Sequence, residues 1–276
     1  MNVQVDFFRN IIVPVIFTVI LLFAMTVPAS AFEAPTAERA DECVVLVHGL
    51  ARTSHSMDDM EVALQAAGYK TVNIDYPSRS HKIQDLAERV GKQAITECKA
   101  QVNSTIHFVT HSMGGILVRY YLAKNNVEEL GRVVMLAPPN QGSLLTDQLR
   151  DELWYKWLTG PAGQQLGTDR NGVPGMLGAV DFQTGIIAGN VHSPVDNWLA
   201  EKIPGADDGK VAVDNAKVEG MQDFMILPYT HISIMNEEEV ISQSLHFLHH
   251  GRFDHAAAEQ LQQSRDGKNK GRTYFD

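Results

Sequence analysis

The hexapeptide "THSMGG", residues 110–115, places a serine two residues after a threonine and two before a glycine. It is one residue away from Gly-x-Ser-x-Gly, the pattern that holds a serine nucleophile on a sharp strand-to-helix turn, where small flanking residues let the chain bend under strain. Thr110 stands where the first glycine would be. That position needs a side chain small enough to clear the turn, and threonine is at the border of that size, while Gly114 and Gly115 supply close backbone contacts on the other side. The chemistry implied is acyl transfer: an activated hydroxyl, a base to take its proton, a group to orient the base, and donors aimed at the developing oxyanion. Ser112 is the candidate nucleophile. In "HGLART" (48–53) a His-Gly turn leaves the amide of Leu50 free to point into a site, where it pairs with the amide of Met113, the residue after the serine, as an oxyanion hole. His48 is read as ordering that loop and His111 as a packed neighbour of the serine. Eleven histidines compete for the role of base.

"CVVLVHG" (43–49) is a short β-branched run stopped by glycine, which predicts a buried strand. "SMDDMEVALQAAGY" (56–69) predicts a helix, with Met57, Met60, Leu64 and Ala67 at helical spacing, Asp58 and Asp59 near its N-terminus and Gly68 to stop it. "KTVNIDYP" (70–77) is a second strand, and Ile83, Leu86, Val90 and Ala94 mark a second amphipathic helix. The order repeats with "STIHFVTH" (104–111) as strand, "MGGILVRYYLAKNN" (113–126) as helix and "GRVVMLAPP" (131–139) as strand. Ser112 therefore falls between a strand and a helix N-terminus, which stabilises negative charge nearby. Strands alternating with helices predict parallel βαβ units and an α/β sheet covered on both faces.

Residues 140–181 break the rhythm, with one short helix bearing Trp154, Tyr155 and Trp157 followed by a glycine-rich stretch. They form either a long surface connection or a cap over a site. "TGIIAGN" (184–190) and "DFMILPYTH" (223–231) are two more expected strands. "EEEVISQSLHFLHH" (237–250) is a closing helix on which His246, His249 and His250 read as solvated or packed. The polar end, 254–276, reads as a frayed tail.

At 276 residues with 44% hydrophobic and 20% charged residues, the chain has a globular composition, and its formal charge of -10 argues against nucleic acid and against attraction to anionic membranes. "IIVPVIFTVILLFAMTV" (11–27) is uncharged, Arg9 precedes it, and "PASA" (28–31) ends in a small-x-small pattern. This reads as a signal peptide over 1–31 cleaved after Ala31. The apolar run is long for a signal core and Arg9 is offset by Asp6, so an uncleaved membrane anchor is the alternative. Either way the domain is expected to be exported, periplasmic or secreted. A linker is expected over 32–42, one domain over 43–250, and the polar C-terminal tail over 251–276. Cys43 and Cys98 form either a disulfide or two buried thiols, and neither has metal or redox spacing.

"VVLVHGLART", "FVTHSMGGILVRYYL", "VVMLAPPNQGS", "DDGKVAV" and "LPYTH", in that order, resemble a bacterial serine lipase or esterase of the α/β-hydrolase superfamily, over roughly residues 43–250. The resemblance implies a mainly parallel sheet flanked by helices, with the 140–181 segment as a cap-like insertion after strand 6 of that fold. It also implies the chain order serine, acid, histidine, with the histidine after the last strand. His231 meets that description. The acid should follow the penultimate strand, where "GADDGKVAVDNAK" (205–217) offers Asp207, Asp208 and Asp214. Asp208 is chosen because Gly209 gives it a turn, with Asp207 the nearest rival. The implied machinery is Ser112, Asp208 and His231, with oxyanion amides at Leu50 and Met113 and no cofactor.

Calcium-dependent relatives commonly carry an aspartate two residues after the histidine; Ser233 stands there, so no metal is expected. The expected activity is hydrolysis of an apolar acyl ester, from a small molecule or a lipid, through an acyl-enzyme. Trp154 and Trp157 are candidate acyl-binding residues, and contact with a lipid interface is expected. An acyltransferase or a peptidase would use the same triad, and a non-catalytic binding or folding factor would keep the scaffold alone.

Overall fold

The structure, a computed structural model, describes residues 39–194 and 197–272. The described residues belong to one compact unit, Ala34–Asp276. The expected leader and most of the expected linker lie outside the described residues. Among the described residues no helix is long and apolar enough to cross a membrane.

Six strands build one sheet: β1 (Glu42–Val47), β2 (Lys70–Ile74), β3 (Thr105–His111), β4 (Leu130–Leu136), β5 (Thr184–Gly189) and β6 (Asp223–Leu227). They lie in the order β2-β1-β3-β4-β5-β6, every neighbouring pair parallel. The strands are apolar throughout because both faces are covered. In β1, Cys43, Val45 and Val47 enter one core while Val44 and Leu46 enter the other.

The helices that cover those faces follow from the apolar spacing. α1 (Asp58–Ala66) joins β1 to β2 and buries Met60 and Leu64, and a short 3-10 turn, Ser54–Met57, precedes it. α2 (Ile83–Lys99) presents Ile83, Leu86, Ala87, Val90, Ala94 and Cys98 on one buried stripe. α3 (Met113–Leu122) follows β3 and packs beside α2 in the same core. After β4 come α4 (Leu144–Leu149), α5 (Leu153–Gly163) and α6 (Val173–Met176), and between β5 and β6 lie α7 (Asn197–Ala200) and α8 (Val213–Ala216). α9 (Glu238–His250) joins α1 on the second face and ends at Gly251 in the left-handed conformation, φ 72°.

The segment at 140–181 is more ordered than its glycines suggest. It follows the fourth strand of the described sheet, and α5 breaks at Gly160, φ 60°, where a Cβ would stand 1.9 Å from the Arg79 carbonyl oxygen. The polar tail is a second departure from expectation: α10 (His255–Arg272) is a helix, not a frayed end. Asp254 starts it by accepting the Ala257 amide at 3.0 Å, and Arg265 reaches back to the buried carboxylate of Glu239 at 3.1 Å.

Cys43, at the start of β1, and Cys98, near the end of α2, are joined in a disulfide with Cα atoms 5.7 Å apart. This closes the alternatives left open for the two cysteines and ties together the end of the sheet remote from the strand C-termini. At the other end, the chain leaves β1 toward β2 on one side and returns through β3 on the other. The C-terminal ends of β1 and β3 therefore flank a switch point, the place where open α/β sheets receive ligands.

Candidate active site

Ser112 stands between β3 and α3 with φ 52° and ψ −122°, a conformation that L-residues rarely adopt. Its amide donates to the Leu136 carbonyl at 2.8 Å and its carbonyl accepts the Gly115 amide at 3.0 Å, so β4 and α3 hold it from both sides. α3 approaches the turn after β1 closely enough that a Cβ on Gly114 would lie 2.4 Å from the Val47 carbonyl oxygen. Thr110 is fully buried, and its Oγ1 is 3.2 Å from where a Cβ on Gly115 would stand. The threonine takes up room that Gly115 leaves open, which is how the turn accommodates the departure from Gly-x-Ser-x-Gly.

His231, in the loop after β6, brings Nε2 to 3.0 Å from Ser112 Oγ and Nδ1 to 2.8 Å from Asp208 Oδ2. A carboxylate oxygen accepts, so Nδ1 carries the proton and Nε2 faces the serine hydroxyl as acceptor. The other oxygen of Asp208 accepts the amides of Lys210 at 3.0 Å and Val211 at 2.8 Å, and the His231 amide donates to the Asp208 carbonyl at 2.9 Å. Ser112, Asp208 and His231 are all buried. The two loops meet beside Gly189, where a Cβ would stand 2.3 Å from the Tyr229 carbonyl oxygen and 2.9 Å from Asp208 Cβ.

The rival acids sit elsewhere. Asp207 accepts the Gly209 amide at 2.7 Å and lies 3.7 Å from His192, and burial raises its pKa. Asp214 is exposed and pairs with Lys217 at 2.8 Å.

His111 does more than pack. Its Nε2–H donates to the His231 carbonyl at 3.0 Å, and burial, followed by the neighbouring His231, holds its pKa well below the ordinary histidine value. It is a neutral brace for the loop that carries His231. Arg52 braces the same loop through Nη2, which donates to the Ile232 carbonyl at 3.1 Å. His48 orders its own turn: Nδ1–H donates to the Gly49 carbonyl at 2.8 Å, the Tyr76 hydroxyl donates to the His48 carbonyl at 2.6 Å, and burial lowers its pKa. The amides of Leu50 and Met113 have no hydrogen-bond partner among the described residues, the latter because Met113 opens α3.

A cavity of about 360 Å³ opens onto Ser112 and His231. Its wall is mostly apolar and comes largely from the 140–181 segment, through Leu145, Leu149, Tyr155 and Leu158. Trp154 lines it, whereas Trp157 is 78% exposed and lies outside the wall. Sequence reasoning missed Trp198, which lines the cavity with its ring centroid 6.1 Å from that of Trp154. Among the described residues no three His, Cys, Asp or Glu side chains are gathered as metal ligands.

A buried hydroxyl on a strand-to-helix turn, hydrogen-bonded to an imidazole that is oriented by a carboxylate, is an arrangement able to attack a carbonyl carbon. Residues 44–230 match the alpha/beta hydrolase family, and the chain belongs to that family.

Solved structures with a similar fold include the mature form of a lipase from Bacillus licheniformis, at 21% identity and a TM-score of 0.63 over 78% of this chain and 95% of that one. A metagenomic carboxyl esterase is similar at 20% identity and a TM-score of 0.57, over 73% of this chain and 67% of that one. A phospholipase from Legionella pneumophila is similar at 18% identity and a TM-score of 0.59, over 74% of this chain and 56% of that one. At these identities the likeness is one of fold. No curated protein matches the chain.

Proposed function

We propose that this protein is a serine carboxylic ester hydrolase acting on an apolar acyl ester, outside the cytoplasm. The observation that carries the reading is the unbroken run of hydrogen bonds from Ser112 Oγ through His231 to Asp208 at the mouth of an apolar cavity. Ser112 Oγ attacks the ester carbonyl carbon as His231 Nε2 takes its proton, and the amides of Leu50 and Met113 meet the oxyanion. Each such donor is worth on the order of 10²- to 10³-fold in rate. As the C–O bond breaks, His231 returns the proton to the leaving alcohol, leaving an acyl-Ser112. Water, deprotonated by the same nitrogen, then releases the acid. Asp208 keeps the imidazole in the required tautomer and stabilises its charged form. Fold relatives that are lipases and esterases favour an ester over an amide, and the leader-like segment at 1–31 together with the disulfide favours an oxidising compartment.

The test is turnover of p-nitrophenyl esters from acetyl to palmitoyl by the wild type and by Ser112→Ala. Turnover that falls by about 10³-fold or more in the variant is expected. A folded wild type inert on every ester, or a variant as active as the wild type, would overturn the reading.

A further inference from the structure

We infer that Arg52 makes this site selective for esters that carry an anionic group, a phosphate or a carboxylate, a few bonds from the reacting carbonyl. The inference rests on the ester-hydrolase reading and names its substrate class. The chain has 33 Asp and Glu against 23 Lys and Arg, yet among the described residues two cations, Arg52 and Lys210, and no carboxylate line the cavity that opens on Ser112. In a chain of net negative charge, the described rim of the pocket at the reacting serine thus carries Arg52 and no carboxylate.

Arg52 is half-buried, and among the described residues no carboxylate pairs with it. Taking a guanidinium partly out of water without an anion is unfavourable, so a fold that keeps one at a reactive cavity gains from a ligand that supplies the missing charge. The contrast is with Arg150, which pairs with Asp147 and Asp169, and with Arg265, which pairs with Glu239. Arg52 uses Nη2 on the Ile232 carbonyl, which fixes the plane of its fork and leaves further N–H donors in the geometry that suits phosphate or carboxylate oxygens.

Its placement is built into the turn. Ala51 holds φ 57°, and its amide donates to the buried hydroxyl of Ser78 at 3.0 Å, so the backbone just before Arg52 is fixed in a conformation that alanine disfavours. The side chain then bridges from the loop bearing the Leu50 amide to the loop bearing His231. An anion held there sits beside the reacting carbonyl while the acyl chain occupies the apolar wall.

Two matched pairs of substrates test this: 1-hexanoylglycerol against 1-hexanoylglycerol 3-phosphate, and p-nitrophenyl butyrate against mono-p-nitrophenyl succinate. The first pair reports a phosphate on the alcohol side and the second a carboxylate on the acyl side. The wild type should favour the charged member of at least one pair in kcat/KM, and Arg52→Gln should shrink that preference by about 10- to 100-fold, the worth of a charge-assisted hydrogen-bonded pair. Arg52→Lys should keep part of it, as a point charge without the fork.

A loss that is equal on charged and neutral esters would reduce Arg52 to a brace for the His231 loop and overturn the assignment while leaving the hydrolase reading intact. Failure of all four esters, with Ser112 unlabelled by a fluorophosphonate, would overturn that reading and the assignment with it. Should Arg52→Gln not fold, calorimetry on the Ser112→Ala protein decides. Tighter binding of the charged member of either pair supports the assignment, and equal or weaker binding in both pairs overturns it.

Discussion

Replacing Thr110 by glycine, which restores Gly-x-Ser-x-Gly, should cost stability and spare activity. The side chain is fully buried, so its loss removes a packed methyl worth about 0.8 kcal/mol and leaves a small cavity. Glycine within a strand adds about 0.5–1 kcal/mol of backbone entropy. The hydroxyl contributes little, because it lies 3.4 Å from the Val134 carbonyl oxygen, at the far limit of a hydrogen bond. The sum is about 2 kcal/mol of unfolding free energy. Ser112 keeps its bond to Leu136 and its contact with α3, so kcat/KM should stay within about threefold, under 1 kcal/mol of barrier.

The companion variant is Gly115→Ala, whose Cβ would meet Thr110 Oγ1 at 3.2 Å, Pro138 Cβ at 3.3 Å and Met135 Sδ at 3.4 Å. In the wild type that overpacking should cost about 1–3 kcal/mol. With glycine at position 110 its tightest contact is gone, so the double variant should be more stable than the two single costs allow, by about 1 kcal/mol. Urea unfolding of the four proteins, paired with turnover of p-nitrophenyl butyrate, measures both effects. Strictly additive costs would refute the complementarity of Thr110 and Gly115. A folded but inactive Thr110→Gly would give the threonine a chemical role that its contacts do not explain.

The disulfide spans 55 residues, and chain-entropy arguments give its reduction a cost of about 4 kcal/mol; urea midpoints that do not move with reductant would contradict this. His48 and His111 are held neutral by burial, with folded pKa values below the ordinary one. The unfolded chain binds protons there that the folded chain refuses. The stability they contribute is therefore fully present above about pH 6.5 and is lost as pH falls from there toward the folded values, by about 1.4 kcal/mol per pH unit for each histidine. Thermal melts between pH 7.5 and 5 should show that loss, and His111→Asn should flatten it; an unchanged slope would argue against a neutral His111. Trp154→Ala should lower turnover of long acyl esters more than of short ones, whereas Trp157→Ala should leave that ratio alone, and the opposite ranking would put the acyl chain outside the cavity described.

Much of the site was legible because each of its parts ends a local pattern. Ser112 closes a strand and opens a helix, His231 follows the last strand, and Asp208 is followed by a glycine that lets the turn form. The remainder depends on contacts that no local pattern encodes. The bonds from Arg52 to Ile232 and from His111 to His231 join residues 180 and 120 positions apart. Trp154 and Trp157 are three residues apart on α5, and which of them meets the cavity is decided by how that helix sits on the sheet. α10 escaped notice because its apolar content is low. The local sign was Asp254 ahead of His-Ala-Ala-Ala-Glu, a capping residue before good helix formers, and the anchor is the polar pair of Arg265 and buried Glu239 rather than an apolar stripe.

Backbone strain in this molecule has a location that bears on function. Among the described residues the non-glycine positions with positive φ are Ala51 at 57°, Ser112 at 52° and Ala137 at 49°, and they follow β1, β3 and β4 respectively. Such conformations cost on the order of 1–3 kcal/mol each and persist only where the surroundings over-determine them. Each of the three donates its amide to a different neighbour: Ala51 to Ser78, Ser112 to Leu136 and Ala137 to Ile187. The groups that hold the turns are thus strand carbonyls and one buried hydroxyl rather than reacting groups. The disulfide stiffens the opposite end of β1, and between the two ends the strand is fully buried on both faces. A sheet anchored in this way can keep Ser112 in its disfavoured conformation, and hold Leu50 and Arg52 on either side of strained Ala51, before any substrate arrives, which is the preorganisation that the proposed acyl transfer would use.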